Sequence, residues 1–438
     1  MSVNKKIIWL FTIAIWVRLV YALSFPPRSF PDTQGYFQTG QQILNRSFCE
    51  YSGKRPPVYP LLTALTGYSP KILVFIQASM GVFISFLIYL IFSNLTKNDN
   101  YGFILGLSYA LNPSQVLFEF GLVSETTCTF FLILTIFFLL FLMNPQKQPK
   151  MIFLILIGLI SSLCILTRAQ FLPLPILILF FLVYHFKYSL GEKLFKLIYF
   201  IVPVAILIGS WSWFQYRRIG QFVVSPDIGL SLTSHTIGFI ESAPQSFDII
   251  KHILIQNREH YLKTKGTMFN SVAASIPELL KTTGYSYPEL CSKLKEMNLF
   301  LIKKEPVRYL RSVTISIVQF FKPTWYGHLF GIRPAVTKGG WLLRIIAATY
   351  AVFHIFMMVV FLFFPLLSII IKKLRGIMIW ILPTFFIYTL TLLIGISAAF
   401  IERGENARYK TSVEPLMICM AIWAAFELIR RPSQSGKR

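Results

Sequence analysis

IIWLFTIAIWVRLVYALSF, residues 7–25, runs directly into PPRSFPDTQGY, residues 26–36. The first stretch matches the roughly 20 apolar residues that a bilayer core requires. Lys5-Lys6 precede it, and Ala22 and Ser24 are small, as in a cleaved secretory leader. The apolar run nevertheless continues past Arg18 to Phe25, and the residues after it carry reactive groups, so it reads as an uncleaved first span. Arg18 lies inside that span and needs a partner or a route to water.

Working outward, the same pattern recurs. The 438 residues are 55% hydrophobic and 14% charged, whereas a soluble domain carries about 25% charge. Apolar runs at 7–25, 71–92, 101–118, 123–143, 151–167, 170–186, 197–214, 343–371, 377–399 and 412–429 predict about ten membrane-spanning helices. The fold class is therefore an all-α integral membrane protein. The net charge of +24 sits largely beside these runs, where it orients helices and meets anionic head groups. No basic helix is interleaved with stacking aromatics away from the membrane, so nucleic acid is not an expected partner.

The short connectors set the orientation. One side receives Lys5, Lys6, Lys97, Lys147, Lys150, Lys187, Lys193, Lys196, Lys372, Lys373, Arg375, Arg430, Arg431, Lys437 and Arg438. This basic side is expected to be cytoplasmic, with both termini on it. The other side receives a loop at 26–70, a turn near 118–123, a turn at Arg168, a long segment at 215–342 and a loop at 400–411. Three units follow: residues 1–214 with the first loop, the polar and mostly helical segment 215–342, and the C-terminal spans 343–438. The run 306–330 is too short to span comfortably and reads as an interfacial helix; were it to span, the topology after it would invert.

The residues able to do chemistry lie on the outer side. Asp32 is one of four aspartates and follows Pro31 at the start of an amphipathic stretch. The position suits a helix N-cap; it also suits a base, because a desolvated surface acid holds protons better. In RPPVYPLL, Arg55 offers a planar cation for phosphate, the prolines stiffen the chain, and Tyr59 offers a ring and hydroxyl. Glu119 and Glu125 bracket the next outer turn; acids at membrane depth mark function, although Glu125 also suits the first turn of a helix. Arg168 and Arg408 are further phosphate ligands or, alternatively, lipid anchors. Carboxylates that deprotonate a hydroxyl and arginines that hold a leaving phosphate together suit group transfer from a phosphate-linked lipid.

These elements occur in a familiar order: Arg18-Leu19, PDTQGY with Tyr36, RPPVYPLL, Ser124-Glu125, LTR at 166–168 and Arg408-Tyr409. The chain resembles the GT-C fold glycosyltransferases that use polyprenyl- or dolichyl-phosphate sugars, above all the protein mannosyltransferase and aminoarabinose transferase group. The likeness covers roughly 1–230 and the C-terminal end. It implies a seven-helix module, a polyprenyl-phosphate sugar donor, and a lipid, glycan or protein acceptor at the outer face of an inner or plasma membrane. It also implies Asp32 as acceptor-activating base and Glu125 as a second acid near the acceptor or an optional metal. Tyr36, Arg55, Tyr59, Arg168 and Arg408 become substrate contacts. Where such proteins often carry a further acid beside the first-loop aspartate, this chain has Thr33-Gln34, so no metal or other cofactor is indicated. The scattered histidines and five cysteines without a CxxC pair add no metal motif; Cys49 and Cys291 share a predicted side with nothing to support a disulfide. Two other classes stay open: a polysaccharide polymerase or ligase with its essential residues in the large loop, and a lipid-linked glycan transporter or flippase.

Overall fold

The computed structural model describes residues 2–48, 51–142, 151–185, 189–268, 270–323, 340–370 and 382–429. Cys49, Glu50, the span ends at 143 and 186, and residues 377–381 of the ninth expected span lie outside these residues. So do Lys147, Lys150, Lys187, Lys372, Lys373, Arg375, Arg430, Arg431, Lys437 and Arg438.

The helices are, in order, α1 (Val3–Ser24), α2 (Thr33–Leu44), α3 (Val58–Leu65), α4 (Pro70–Thr96), α5 (Asp99–Ala110), α6 (Pro113–Glu119), α7 (Glu125–Leu142), α8 (Met151–Thr167), α9 (Leu174–His185), α10 (Leu190–Ile219), α11 (Ile228–Thr236), α12 (Asp248–Lys265), α13 (Ser271–Thr283), α14 (Tyr287–Lys304), α15 (Pro306–Phe321), α16 (Gly340–Ile370), α17 (Leu382–Ile401), α18 (Asn406–Lys410) and α19 (Glu414–Ile429). Among the described residues no strand forms; Arg28 and Gly121 make one isolated parallel bridge. Among the described residues, six helices are long and apolar enough to cross a membrane: α1, α4, α7, α10, α16 and α17.

The other expected spans are shorter helices. Those expected at 151–167 and 170–186 form the shorter apolar helices Met151–Thr167 and Ala169–His185. The run expected to span at 101–118 breaks in two. Asn112 caps α6 through the backbone N–H groups of Ser114 and Gln115, and Pro113 occupies its first turn, a strong start signal inside an otherwise apolar run. The last expected span is α19, of 16 residues.

Arg18 finds its partner inside the bundle. Its guanidinium meets the carboxylate of Glu119 with two bonds, Nε to Oε2 at 2.9 Å and Nη2 to Oε1 at 2.6 Å, and donates to Ala110 O at 2.9 Å. A Cβ at position 81 would stand 2.1 Å from Glu119 Oε1, so only glycine fits in the facing turn of α4. Glu119 is thus a frame residue of the bundle.

Residues 225–268 and 270–322 are mostly helical and build a core of their own from Ile240, Leu254, Leu279, Leu290, Leu294 and Leu301, all fully buried. This segment is fastened to two loops of the bundle. At the first, Ser225 Oγ donates to Lys54 O (3.0 Å). At the other loop Arg403 N donates to Ser234 Oγ (2.7 Å), and Tyr309 OH to Phe400 O (2.6 Å). Of the run 306–330, expected to lie at the interface, residues 306–321 form α15, of 16 residues, about 24 Å at 1.5 Å per residue, and residues 324–330 lie outside the described residues. Helix α15 lies against α17, where Gly395 leaves room for the Phe320 ring.

Candidate active site

Residues far apart in sequence meet at one end of the bundle. Asp32 stands at the N-cap position of α2, yet its backbone is already helical (φ −78°, ψ −21°) and its side chain caps nothing. Thr33 takes the local role instead, accepting from Phe30 N and donating to Leu122 O, each at 2.9 Å. The Asp32 carboxylate is free for ion pairing: Oδ1 meets Arg55 Nη2 at 2.5 Å, and Oδ2 meets Arg408 Nη1 at 2.6 Å.

Arg408 comes from α18, a five-residue helix between α17 and α19. Its Nε donates to Glu125 Oε1 at the first residue of α7, and Arg168 Nη1 reaches the same oxygen at 2.8 Å. Arg408 therefore bridges the two carboxylates, with Arg55 on one flank and Arg168 on the other. Neither Arg168 nor Arg408 extends to solvent; both side chains are 11% exposed and Glu125 is fully buried.

Aromatic rings line this cluster. The Arg55 guanidinium lies 4.7 Å from the Tyr36 ring centre and that of Arg168 lies 5.5 Å from Tyr409, distances at which cation–π attraction acts. Tyr36 OH is 3.0 Å from Ser124 Oγ, which Arg168 Nη1 also approaches at 3.4 Å. The Tyr59 ring packs edge-on against Tyr36 at 4.7 Å. Its hydroxyl points inward to Gln77 Oε1 at 2.7 Å, so Tyr59 supports the wall.

Arg408 Nη1 also donates to Glu405 Oε2 at 3.3 Å, so three guanidinium groups meet three carboxylates, yet the hydrogen bonding is incomplete. Arg55 Nε, Arg408 Nη2 and Glu125 Oε2 are buried and meet no hydrogen-bond partner among the described residues. Buried donors without acceptors are costly unless a ligand supplies what is missing. Burial alone would raise Asp32, but Arg408 and Arg55 together hold its carboxyl well below the usual carboxylate range. The sequence-based expectation of a raised acid is thus reversed by the two guanidinium groups. These carboxylates are matched to guanidinium groups, a donor set that does not fit a divalent cation. Among the described residues no three His, Cys, Asp or Glu side chains converge as a metal site.

Several neighbours escaped sequence reasoning. Asp227, just before α11, accepts from Tyr287 OH at 2.7 Å; burial raises its pKa against the opposing pull of Lys54 and Arg55. Lys410, fully buried, donates to Lys322 O at 2.6 Å and lies 3.0 Å from His354 Nε2. His354 Nε2 is 2.7 Å from Glu414 Oε1, whose other oxygen accepts from Gln115 Nε2 at 3.1 Å. His354 and Glu414 within apolar runs were the available signal.

A family model of dolichyl-phosphate-mannose-protein mannosyltransferases matches residues 54–213. No curated protein matches the chain. Among solved structures, the crystal structure of the Archaeoglobus fulgidus oligosaccharyltransferase, tethered to an acceptor peptide containing the NVT sequon, aligns at TM-score 0.50 and 14% identity. The alignment covers 97% of this chain and 50% of that one, so the chain spans about half its length. The all-helical bundle, the family match over residues 54–213 and this structural likeness agree with the sequence resemblance: the chain has a GT-C-like membrane helical fold.

Proposed function

We propose that the protein is a membrane glycosyltransferase that moves a sugar from a polyprenyl-phosphate donor to a hydroxyl-bearing acceptor, with inversion. The observation that carries this reading is the meeting of Asp32, Arg55, Glu125, Arg168 and Arg408. Three arginines, two of them with buried unpartnered donors, suit a phosphodiester and the charge it gains on leaving. A carboxylate beside them suits removal of the acceptor proton. Single displacement with one base needs no covalent intermediate, as in inverting hydrolysis. Glu125, with one oxygen unpartnered, orients the acceptor. The basic connectors support placing this end of the bundle, together with the 215–342 segment, outside the cytoplasm.

The test is transfer from a radiolabelled polyprenyl-phosphate sugar by purified protein, with Arg408→Ala and Asp32→Asn as controls. Loss of transfer in both supports the reading. Retained transfer in both moves the chemistry to the large loop, as in a polymerase or ligase; lipid translocation without transfer makes the protein a transporter.

A further inference from the structure

In the structure the expected base is not available. Both oxygens of Asp32 face guanidinium groups, Oδ1 that of Arg55 and Oδ2 that of Arg408. A carboxylate held this way has little affinity for a proton. Yet the same two arginines are not saturated. Arg55 Nε and Arg408 Nη2 are buried and unpartnered, and a guanidinium carries five N–H donors in a fixed fork. The acid is over-supplied with cations, and the cations are under-supplied with acceptors. A phosphodiester entering between Arg55 and Arg408 would correct both.

We propose that donor binding creates the base: the donor phosphate takes the guanidinium groups of Arg55 and Arg408 from Asp32, which only then accepts the proton of the acceptor. This rests on the donor reading above. Two effects act in the same direction. Asp32 loses opposite charges within hydrogen-bond distance, and it gains a like charge nearby; each raises a carboxyl. The proton of the acceptor hydroxyl passes to an Asp32 oxygen as the acceptor oxygen bonds to the anomeric carbon. The bond from that carbon to the phosphate oxygen breaks, and its electron pair stays on the phosphate, held by Arg55, Arg408 and Arg168. No other reactant is needed. The reaction is ordered, donor before acceptor. In the absence of donor the site is an internal salt with no base, and water is not activated there.

The chain has four aspartates, Asp32, Asp99, Asp227 and Asp248, few enough for carboxyl-carbon NMR. The full-length protein, labelled at aspartate and held in lipid nanodiscs, is titrated from about pH 3 to pH 8, across the ordinary aspartate range. The titration is run with and without saturating polyprenyl phosphate, the unreactive leaving group, and the Asp32→Asn variant identifies the signal. Alone, Asp32 should stay ionised throughout. With polyprenyl phosphate its proton affinity should rise at least ~100-fold, the gain expected when close opposite charges are withdrawn. Asp32→Asn should also bind polyprenyl phosphate more tightly, by about tenfold, because the competing anion is gone; a merely structural aspartate would not produce this. If polyprenyl phosphate binds in an arginine-dependent way while Asp32 titrates unchanged, the inference fails and the donor site stands. If it does not bind, or if binding is undiminished in both Arg55→Ala and Arg408→Ala, both fail.

Discussion

At the scale of single residues, roles separate by what each variant keeps. Asp32→Asn preserves shape, and since the native carboxylate caps nothing no helix start is lost. It should fold normally and transfer sugar at least ~100-fold more slowly, the lower end of what a placed general base contributes. Arg55→Lys, Arg168→Lys and Arg408→Lys should each raise the donor KM nearly as much as alanine does, because an ammonium cannot reproduce the planar fork. Three lysine variants with wild-type donor KM would reduce these residues to lipid anchors. Glu402 provides a pH test. Burial pushes it up to about 8, with Glu405 and Asp227 adding to the effect and the bonds from Ser231 and Tyr409 opposing it. An unfolded glutamate ionises near about 4.3. Between these values the folded chain binds a proton that the unfolded chain has released, so stability falls as pH rises through the window. Glu402→Gln removes this dependence. Its melting temperature should exceed wild type near pH 8 and converge with it near about pH 4–5; a pH-independent difference would refute the shift.

At the scale of elements, α18 is too short to hold itself. Its placement relies on Lys410 reaching Lys322 O at the end of α15, on Gln115 Nε2 reaching Thr411 O at 3.0 Å and on Gln170 Nε2 reaching Tyr409 O at 3.3 Å. Lys410→Met should therefore loosen Arg408 and raise the donor KM at least ~5-fold, with a smaller change in kcat, the pattern of lost binding. An unchanged KM in a stably folded variant would leave Lys410 without a positioning role. The pairing of α1 with α6 makes a separate point. Gly81→Ala would place a methyl on the Glu119 carboxylate and force it off Arg18. Breaking a buried ion pair costs about 3–5 kcal/mol, which thermal unfolding in detergent should show as a markedly lower transition. A variant that melts with wild type would mean the α4–α6 contact gives way readily.

At the scale of the whole molecule, the basic connectors predict which end faces out. Single-cysteine labelling of intact cells should modify Lys281→Cys and spare Lys97→Cys and Lys193→Cys; the reverse set would overturn the orientation. Helix positions and most site residues were legible because bilayer physics is local: apolar length marks a helix, and a charge near it stands out. Asp32, Glu125, Arg168 and Arg408 were found this way and do meet. What was not legible depended on pairing across the chain. Nothing near Arg18 in sequence announces Glu119. An aspartate after proline reads as a cap until Arg55 and Arg408 are seen to hold it. The break at Asn112 was hidden by the apolar residues on both sides, although Asn-Pro is itself a start signal. The fastening of residues 225–322 to the loops bearing Arg55 and Arg408 uses single polar contacts, such as Ser225 to Lys54 O and Lys410 to Lys322 O, and these leave no periodic trace.

The unpartnered guanidinium donors of Arg55 and Arg408 also bear on how a reaction cycle ends. A sugar phosphodiester carries one negative charge, whereas the lipid phosphate left behind is a monoester that gains a second charge above a pKa of about 6. A pocket with buried guanidinium donors to spare then grips its spent carrier more firmly than its fuel. The expected outcome is turnover governed by product escape: polyprenyl phosphate should inhibit competitively, with an inhibition constant below the donor KM, and more strongly at pH 7.5 than at about pH 5.5. Adding a lipid-phosphate phosphatase to the assay should speed steady-state transfer while leaving a single turnover unchanged.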